Sequence, residues 1–514
     1  MGGKTSINPF FIAAKAPMSK KKTQVWGNRL HADPDKLSQE YCTGRDVRVV
    51  GMCDEKLIAY DIWTNLAHCQ MLHEVGVLTA EEWQKLHRGL FQLDDLHGIG
   101  GFQLDPAKED VHINIEHWLT HTKGIVAAKK MHSGRSRNDQ VSCDMRLYLR
   151  NELSKIAESL HNLVERVLNL ANEHRETVMP GFTHYQPAMI TTLGHWMLGW
   201  AQGLLRDMQA LGDVYDLINK CPLGAAAGFG TSWPINRERT AELLGFDGVE
   251  ENSLDAISSR GEAEARIASV IAVMMNRLSQ IGQDLILWSH PYFNFVKISD
   301  AFVTGSSIMP QKRNPDFAEV TRAKAAYAAG TVTSLLGLQK GAMSGYNRDS
   351  QQSKSLIMDL FAEVLEAPFL FCNVIGALEV NAKVMEQRAK EGYMNAADLA
   401  DGLAREHKMS FREAYDVVSL AVKYSEQSSE ISYAGLLLAL KKCGLERNIS
   451  PEWVHDLNDP LRLLAQKQHT GAPSPQAVAA HHTRLEHEMK VLKEKWDMRN
   501  QRVDEALERA HTTP

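Results

Sequence analysis

The feature that most limits the fold is a set of apolar stripes at helical spacing that run on well past the length of an ordinary globular helix. Leu153, Ile156, Leu160, Leu163, Val167 and Leu170 recur at steps of three and four, which places them on one helix face. A second stripe carries Leu193, Trp196, Trp200, Leu204, Met208 and Leu211, and a third carries Ile267, Val270, Met274, Leu278, Ile281 and Leu285. A fourth helix follows Pro315 through Val320, Ala323 and Tyr327. Helices near or beyond about 25 residues point to a bundle whose members also pack against other subunits. Period-two alternation is almost absent, so the expected class is all-α. The expected division is a tail at 1–24, an N-terminal helical domain at 25–133, a central long-helix bundle at 134–387 and a C-terminal helical domain at 388–514.

Three polar segments interrupt the stripes. HSGRSRNDQ (132–140) sits just before a helix, where free backbone N–H groups add to the donors of Ser136, Arg137 and Asn138 to suit a carboxylate. MPGFTHYQPA (179–188) reads as a loop between two long helices, the first stopping near Pro180-Gly181, and presents Thr183, His184 and Gln186; a histidine there suits proton transfer near neutral pH. TGSSIMPQKRNP (304–315) holds Ser306 and Ser307 in a Gly-flanked loop with Lys312 and Asn314 close behind. Read alone, the three also fit a solvated helix cap, a structural histidine and a plain surface loop.

Other motifs carry less. The Gly-rich GAAAGFGTSWP (224–234) has neither a Walker lysine nor a GxGxxG after a strand, which argues against phosphate or dinucleotide binding. His117 and His121 share a helix face, but WLT between them is not a zincin pattern, so a solvated helix is expected. No Ser-His-Asp order or GxSxG elbow supports a hydrolase. Seven scattered cysteines, never spaced as CxxC or as zinc ligands, read as reduced thiols of a cytoplasmic protein. A formal charge of −6 with no block of like charge gives no sign of nucleic acid, and no apolar run suggests a membrane span. The opening MGGKTS fits the loose myristoylation pattern, with Met18 as an alternative start.

Taken in order, HSGRSRNDQVSCDMRLYLR, MPGFTHYQPAMITTLGHWMLGWAQGLLRD, PLGAAAGFGTSWPINRE, GSSIMPQKRNPD, SGYNRDSQQSK, MSFREAYDVV and TGAPSP resemble the signature regions of the argininosuccinate lyase branch of the fumarase and aspartase superfamily. The resemblance spans about residues 40 to 485. It implies an all-helical homotetramer with a 20-helix core and active sites each shared by three subunits. The implied reaction is the reversible elimination of an N-substituted aspartate to fumarate and an amine, with no metal or organic cofactor. It also implies that Ser306 is the base, that Lys312 and Asn314 hold the carboxylate, and that Ser136, Arg137, Asn138 and Thr183 complete the anion site. His184 with Glu319 resembles a His–carboxylate pair for acid or water-positioning work. Tyr346, Gln351 and Lys354 match substrate contacts, and Asp110 and His112 match a helix-entry motif.

Departures lie in VWGNRLHADP (25–34), where an expected serine is missing, in YCTGRDVRVVGMCDEKLIAYDIWTN (41–65) and in SSRGEAEA (258–265) around the matched Arg260. They leave the fumarate half of the site intact and touch the amine half. The first expectation is therefore argininosuccinate as substrate. The rivals are another N-substituted aspartate, such as ethylenediamine disuccinate, and an inactive crystallin-like member.

Overall fold

The computed structural model describes residues 52–105, 110–428 and 430–512, and these are helical almost throughout. The tail at 1–24 with its myristoylation pattern and Met18, the segment 25–34, and Cys42 lie outside the described residues. Helices α1 (Ile58–Glu74), α2 (Ala80–Gly98) and α3 (Val111–His117) come first. The four stripes then form α4 (Arg137–Glu173), α5 (Leu193–Ile218), α6 (Glu262–Ser289) and α7 (Asp316–Gln339), of 37, 26, 28 and 24 residues. After them come α8 (Gln352–Val364) and, at the end, α9 (Pro475–Thr512).

Local chemistry explains where the long helices begin. Ser136 caps α4 in a reciprocal box: its hydroxyl accepts from Asn138 N at 3.3 Å, and its own N–H donates to Asp139 Oδ1 at 2.8 Å. Asp316 and Glu319 in the first turn of α7 complement the positive end of the helix dipole. The stripe residues Leu153, Leu160, Leu204, Ile267 and Leu278 are wholly buried in one cluster that also takes in the N-terminal helices. Each such side chain contributes about 1.5–3 kcal/mol on burial, the driving force that lines the helices up. A second cluster, around Leu403, Val417, Leu436 and Leu457, belongs to short helices between residues 396 and 458. Helix α9 returns to the bundle, where Arg499 pairs with Asp216 at 2.8 Å and Asn500 accepts from Ser154 at 2.8 Å.

One connection differs from expectation. Helix α4 stops at Glu173, and 178–192 is not a loop but a hairpin of β1 (Val178–Thr183) and β2 (Gln186–Thr192). His184 and Tyr185 form its two-residue turn, at φ 53° and 60°, the left-handed pair that a tight hairpin requires. Neither is Gly or Asn, which is why the turn escapes a reading by residue type. Pro180 and Pro187 are tolerated because a two-stranded ribbon consists only of edges. A shorter pair, β3 (Val296–Lys297) with β4 (Glu379–Val380), sits near the same end.

Helices α6 and α7 pack side by side and antiparallel. Gln339, the last residue of α7, donates to Arg260 O at 2.7 Å just ahead of α6. The loop before α7 therefore lies a full helix length from Arg260. No helix among the described residues is long and apolar enough to cross a membrane.

Candidate active site

At the α4 N-terminus a cleft of 590 Å³ gathers much of the chemistry expected from the sequence. Ser136, Arg137 and Asn138 line it together with Asp110 and His112, and Tyr346, Gln351 and Lys354 face them with Arg260. Ser136 Oγ accepts the Asn138 N–H of the capping box, which leaves its own proton free to point at a ligand. Arg137 reaches Asp110 Oδ2 at 2.7 Å, and Asp110 caps α3 by accepting from Ile113 N at 2.9 Å. Across the cleft Lys354 is paired with Asp54, which also accepts from Val111 N at 3.3 Å. The Arg260 guanidinium lies 5.2 Å from the centre of the Tyr346 ring, and its buried Nη1 has no partner. Such a donor set, at a helix N-terminus and with cations on both walls, suits a carboxylate.

Below the cleft lies a buried polar layer. His112 Nδ1 meets Asp61 Oδ1 at 2.9 Å, and Gln140 and Asn65 donate to the same carboxylate at 2.7 and 3.0 Å. Burial acts to raise the Asp61 carboxyl, but His112, Arg135 and Gln140 outweigh it and hold it below the ordinary range. Asp144, also fully buried, is driven well up by burial and by the Asp61 charge. The pair therefore divides one charge: Asp61 ionised, Asp144 protonated.

The Gly-rich segment 224–230 wraps the neighbouring Asp139. Gly224, at φ 88°, and Ala226 donate their N–H groups to Asp139 Oδ2 at 2.9 and 2.7 Å. The anion this segment cradles is thus the protein's own carboxyl, which burial pushes up to about 6 despite these donors. As expected, His117 and His121 are exposed; their rings stack at 4.3 Å. Cys53, Cys69, Cys143, Cys221, Cys372 and Cys443 are free thiols.

The other expected residues occupy the opposite end of the bundle. Thr304 and Asn314 exchange both backbone hydrogen bonds, at 3.0 and 2.8 Å, and close a neck under the loop 305–313. Within it Ser306 Oγ accepts from Ile308 N at 3.3 Å and Met309 N at 3.1 Å, so two backbone dipoles already point at the oxygen. Lys312 is exposed at the loop surface and Asn314 sits in the neck, its Nδ2 3.4 Å from Gly305 O. Arg313 anchors the loop by bonding Asp300 and Ile298 O. Thr183 and His184 are exposed at the hairpin tip, and Glu319 is exposed in the first turn of α7. Among the described residues, no hydrogen bond or ion pair joins His184 to Glu319, both of which are exposed. Behind the hairpin is a larger cleft of 750 Å³, walled by Phe182, Trp196, Trp200 and Trp288, where Asp284 accepts from both Trp196 and Trp200 at 3.0 and 3.1 Å.

The chain thus places the expected site residues in two separate groups. Helix α4, at 1.5 Å rise per residue, separates Ser136 from the hairpin by roughly 55 Å, and α7 separates the Ser306 loop from Arg260 by roughly 36 Å. Asp54, Asp61, Asp144 and Arg135 were missed from the sequence. A signal was available for one of them: Asp61, Asn65 and His68 form a polar line at helical spacing on a helix that is otherwise apolar and buried.

Comparison with known proteins places these features. A family model described as lyase matches residues 40–330, and one described as argininosuccinate lyase C-terminal matches 393–450. An argininosuccinate lyase of Alcanivorax borkumensis is 43% identical over 80% of this chain and 87% of its own length. That of Nitrosococcus oceani is 41% identical over 88% and 95%. Among solved structures, an EDDS lyase in complex with formate superposes with a TM-score of 0.84 at 29% identity, covering 94% of this chain and 96% of its own.

Proposed function

This chain belongs to the argininosuccinate lyase branch of the fumarase and aspartase superfamily, and from that premise we propose that it catalyses the reversible elimination of argininosuccinate to arginine and fumarate. The observation that carries this is agreement with argininosuccinate lyases at 38–43% identity over most of both chains. The rival substrate, an aminopolycarboxylate of the ethylenediamine disuccinate kind, has the support of a structural neighbour at 29% identity.

The chemical difficulty is the proton beside a carboxylate, whose loss leaves a doubly charged carboxylate intermediate that only preorganised donors can stabilise. In our reading Ser306 takes that proton. The Ile308 and Met309 N–H groups already aimed at its oxygen, with Lys312 nearby, favour the alkoxide. Lys312 and Asn314 hold the carboxylate, and Ser136, Arg137, Asn138 and Thr183 complete its cradle. Tyr346, Gln351 and Lys354 hold the remainder of the substrate. His184, oriented by Glu319 of a neighbouring copy, does acid or water-positioning work.

These roles need the two ends of the bundle to meet. A cytoplasmic homotetramer with antiparallel neighbours brings one copy's cleft to another's loop and hairpin, and the separations of roughly 55 and 36 Å within one chain support that reading. Purified protein incubated with argininosuccinate, and separately with other N-substituted aspartates, tests the proposal by fumarate absorbance. Fumarate only from the non-guanidino substrates would replace argininosuccinate with the rival.

A further inference from the structure

The buried layer under the cleft has a use that none of the roles above requires. Among the described residues, His112 is the one imidazole in the cleft wall, beside Arg137, Arg260 and Lys354, cations that do not give up protons readily near neutral pH. Its Nδ1 is committed to Asp61, and Asp61 is fixed by Gln140 and by Asn65, which in turn accepts from Arg135. Its Nε2 makes no hydrogen bond and is not among the buried polar atoms that lack a partner, so it opens into the cleft. Asp144 Oδ2, buried and without a donor, stands 3.6 Å behind Nδ1, while Asp144 Oδ1 accepts from Thr64 at 2.6 Å.

The three groups lie close enough to surround a cation. However, Asp61 Oδ1 already accepts two N–H donors, and Nδ1 spends its hydrogen on that oxygen, so a proton and not a metal fits the trio. A carboxylate fixing one ring nitrogen while the other faces the ligand is the arrangement of a proton carrier.

We infer that His112 is a catalytic residue that gives the proton on Nε2 to the departing nitrogen, which leaves water positioning to His184. The inference rests on the elimination proposed above. The base takes hydrogen from the carbon beside the carboxylate, and that C–H electron pair becomes the new C=C bond. The C–N bond breaks with its pair on nitrogen, and Nε2–H passes to that nitrogen. His112 is left neutral, its Nδ1–H still on Asp61, and the reverse reaction returns the proton. The titratable groups about the ring are Asp61 and His68 on α1, the latter held neutral by burial, and Asp139 and Asp144 on α4. His132 and Arg135 flank it before α4 and Arg137 at the first position of α4, Asp110 caps its own helix, and Asp54 and Lys354 face it across the cleft.

The test compares full-length wild type with His112→Asn, which keeps a donor for Asp61 but cannot transfer a proton, and with His112→Ala. Both variants should lower kcat about 100-fold with little change in KM. The high-pH limb of the kcat profile should vanish in both. Free imidazole should partly restore His112→Ala. Asp61→Asn, a positioning change, should move that limb to lower pH. A folded His112→Asn with kcat within about threefold of wild type, or with the high-pH fall intact, would overturn the inference while leaving the elimination standing. A rise in KM alone would mean that His112 only binds, and would overturn it too. Wild-type protein that forms no fumarate from any substrate overturns the elimination and this inference together.

Discussion

A serine hydroxyl is a poor base until something stabilises its anion, and Ser306 has two backbone N–H groups already turned toward it. Ser306→Ala should therefore lower fumarate formation by at least about 1,000-fold with the circular dichroism spectrum and assembly size unchanged. Residual turnover near a tenth of wild type would exclude it as the base. Asp139 makes a different kind of prediction. Burial pushes its carboxyl up to about 6, so the folded chain binds that proton more tightly than the unfolded one. Its stabilising effect is then complete below about pH 4 and is lost as the pH rises through about 6. The stability of wild type relative to Asp139→Asn should fall by about 3 kcal/mol between pH 4 and 7, measured by urea denaturation at each pH. A wild-type advantage that grows with pH would mean that the fold prefers the carboxylate. Of the individual residues, those with chemistry in exposed segments, such as Ser136 and Ser306, stood out in the sequence. Asp144 did not, because a buried carboxyl on a long helix looks like any solvated one until its neighbours are known.

The same division holds for elements. Long helices announce themselves through stripes such as Leu153 to Leu170, since every third or fourth residue must face the core. The hairpin at 178–192 did not, because its strands are short, carry two prolines and turn through His184 and Tyr185 in place of Asn and Gly. The loop 305–313 was legible as an interruption, whereas its neck was not: Thr304 and Asn314 pair across it, and Arg313 ties it to Asp300. Asp300 is buried, so Arg313→Ala removes a cation from a buried carboxylate and should loosen the loop locally. We expect kcat to drop about tenfold or more, with faster amide exchange across 304–314 and little change across α4 to α6. Uniform acceleration over the bundle would show that Arg313 supports the whole fold and not the loop.

At the scale of the molecule, the cleft and the loop-and-hairpin pair lie at opposite ends of one bundle. Each copy of Lys354→Ala keeps an intact loop, and each copy of Ser306→Ala keeps an intact cleft. Unfolded together in equal amounts and reassembled, these two inactive variants should recover roughly a quarter of wild-type activity if the residues come from different copies. Recovery indistinguishable from zero would place both in one chain. The sequence could name both half-sites but not their separation, because nothing along a chain states which segments a second copy will supply.

Helix α4 gives that separation a practical meaning. It starts at the cleft, ends where Leu193 and Gly194 bond back to Thr177 and His174 at the foot of the hairpin, and crosses the molecule without a break. It therefore acts as a gauge rod that fixes how far the cleft stands from the hairpin. Adding or removing about one turn would shift the cleft relative to the hairpin by about 5 Å.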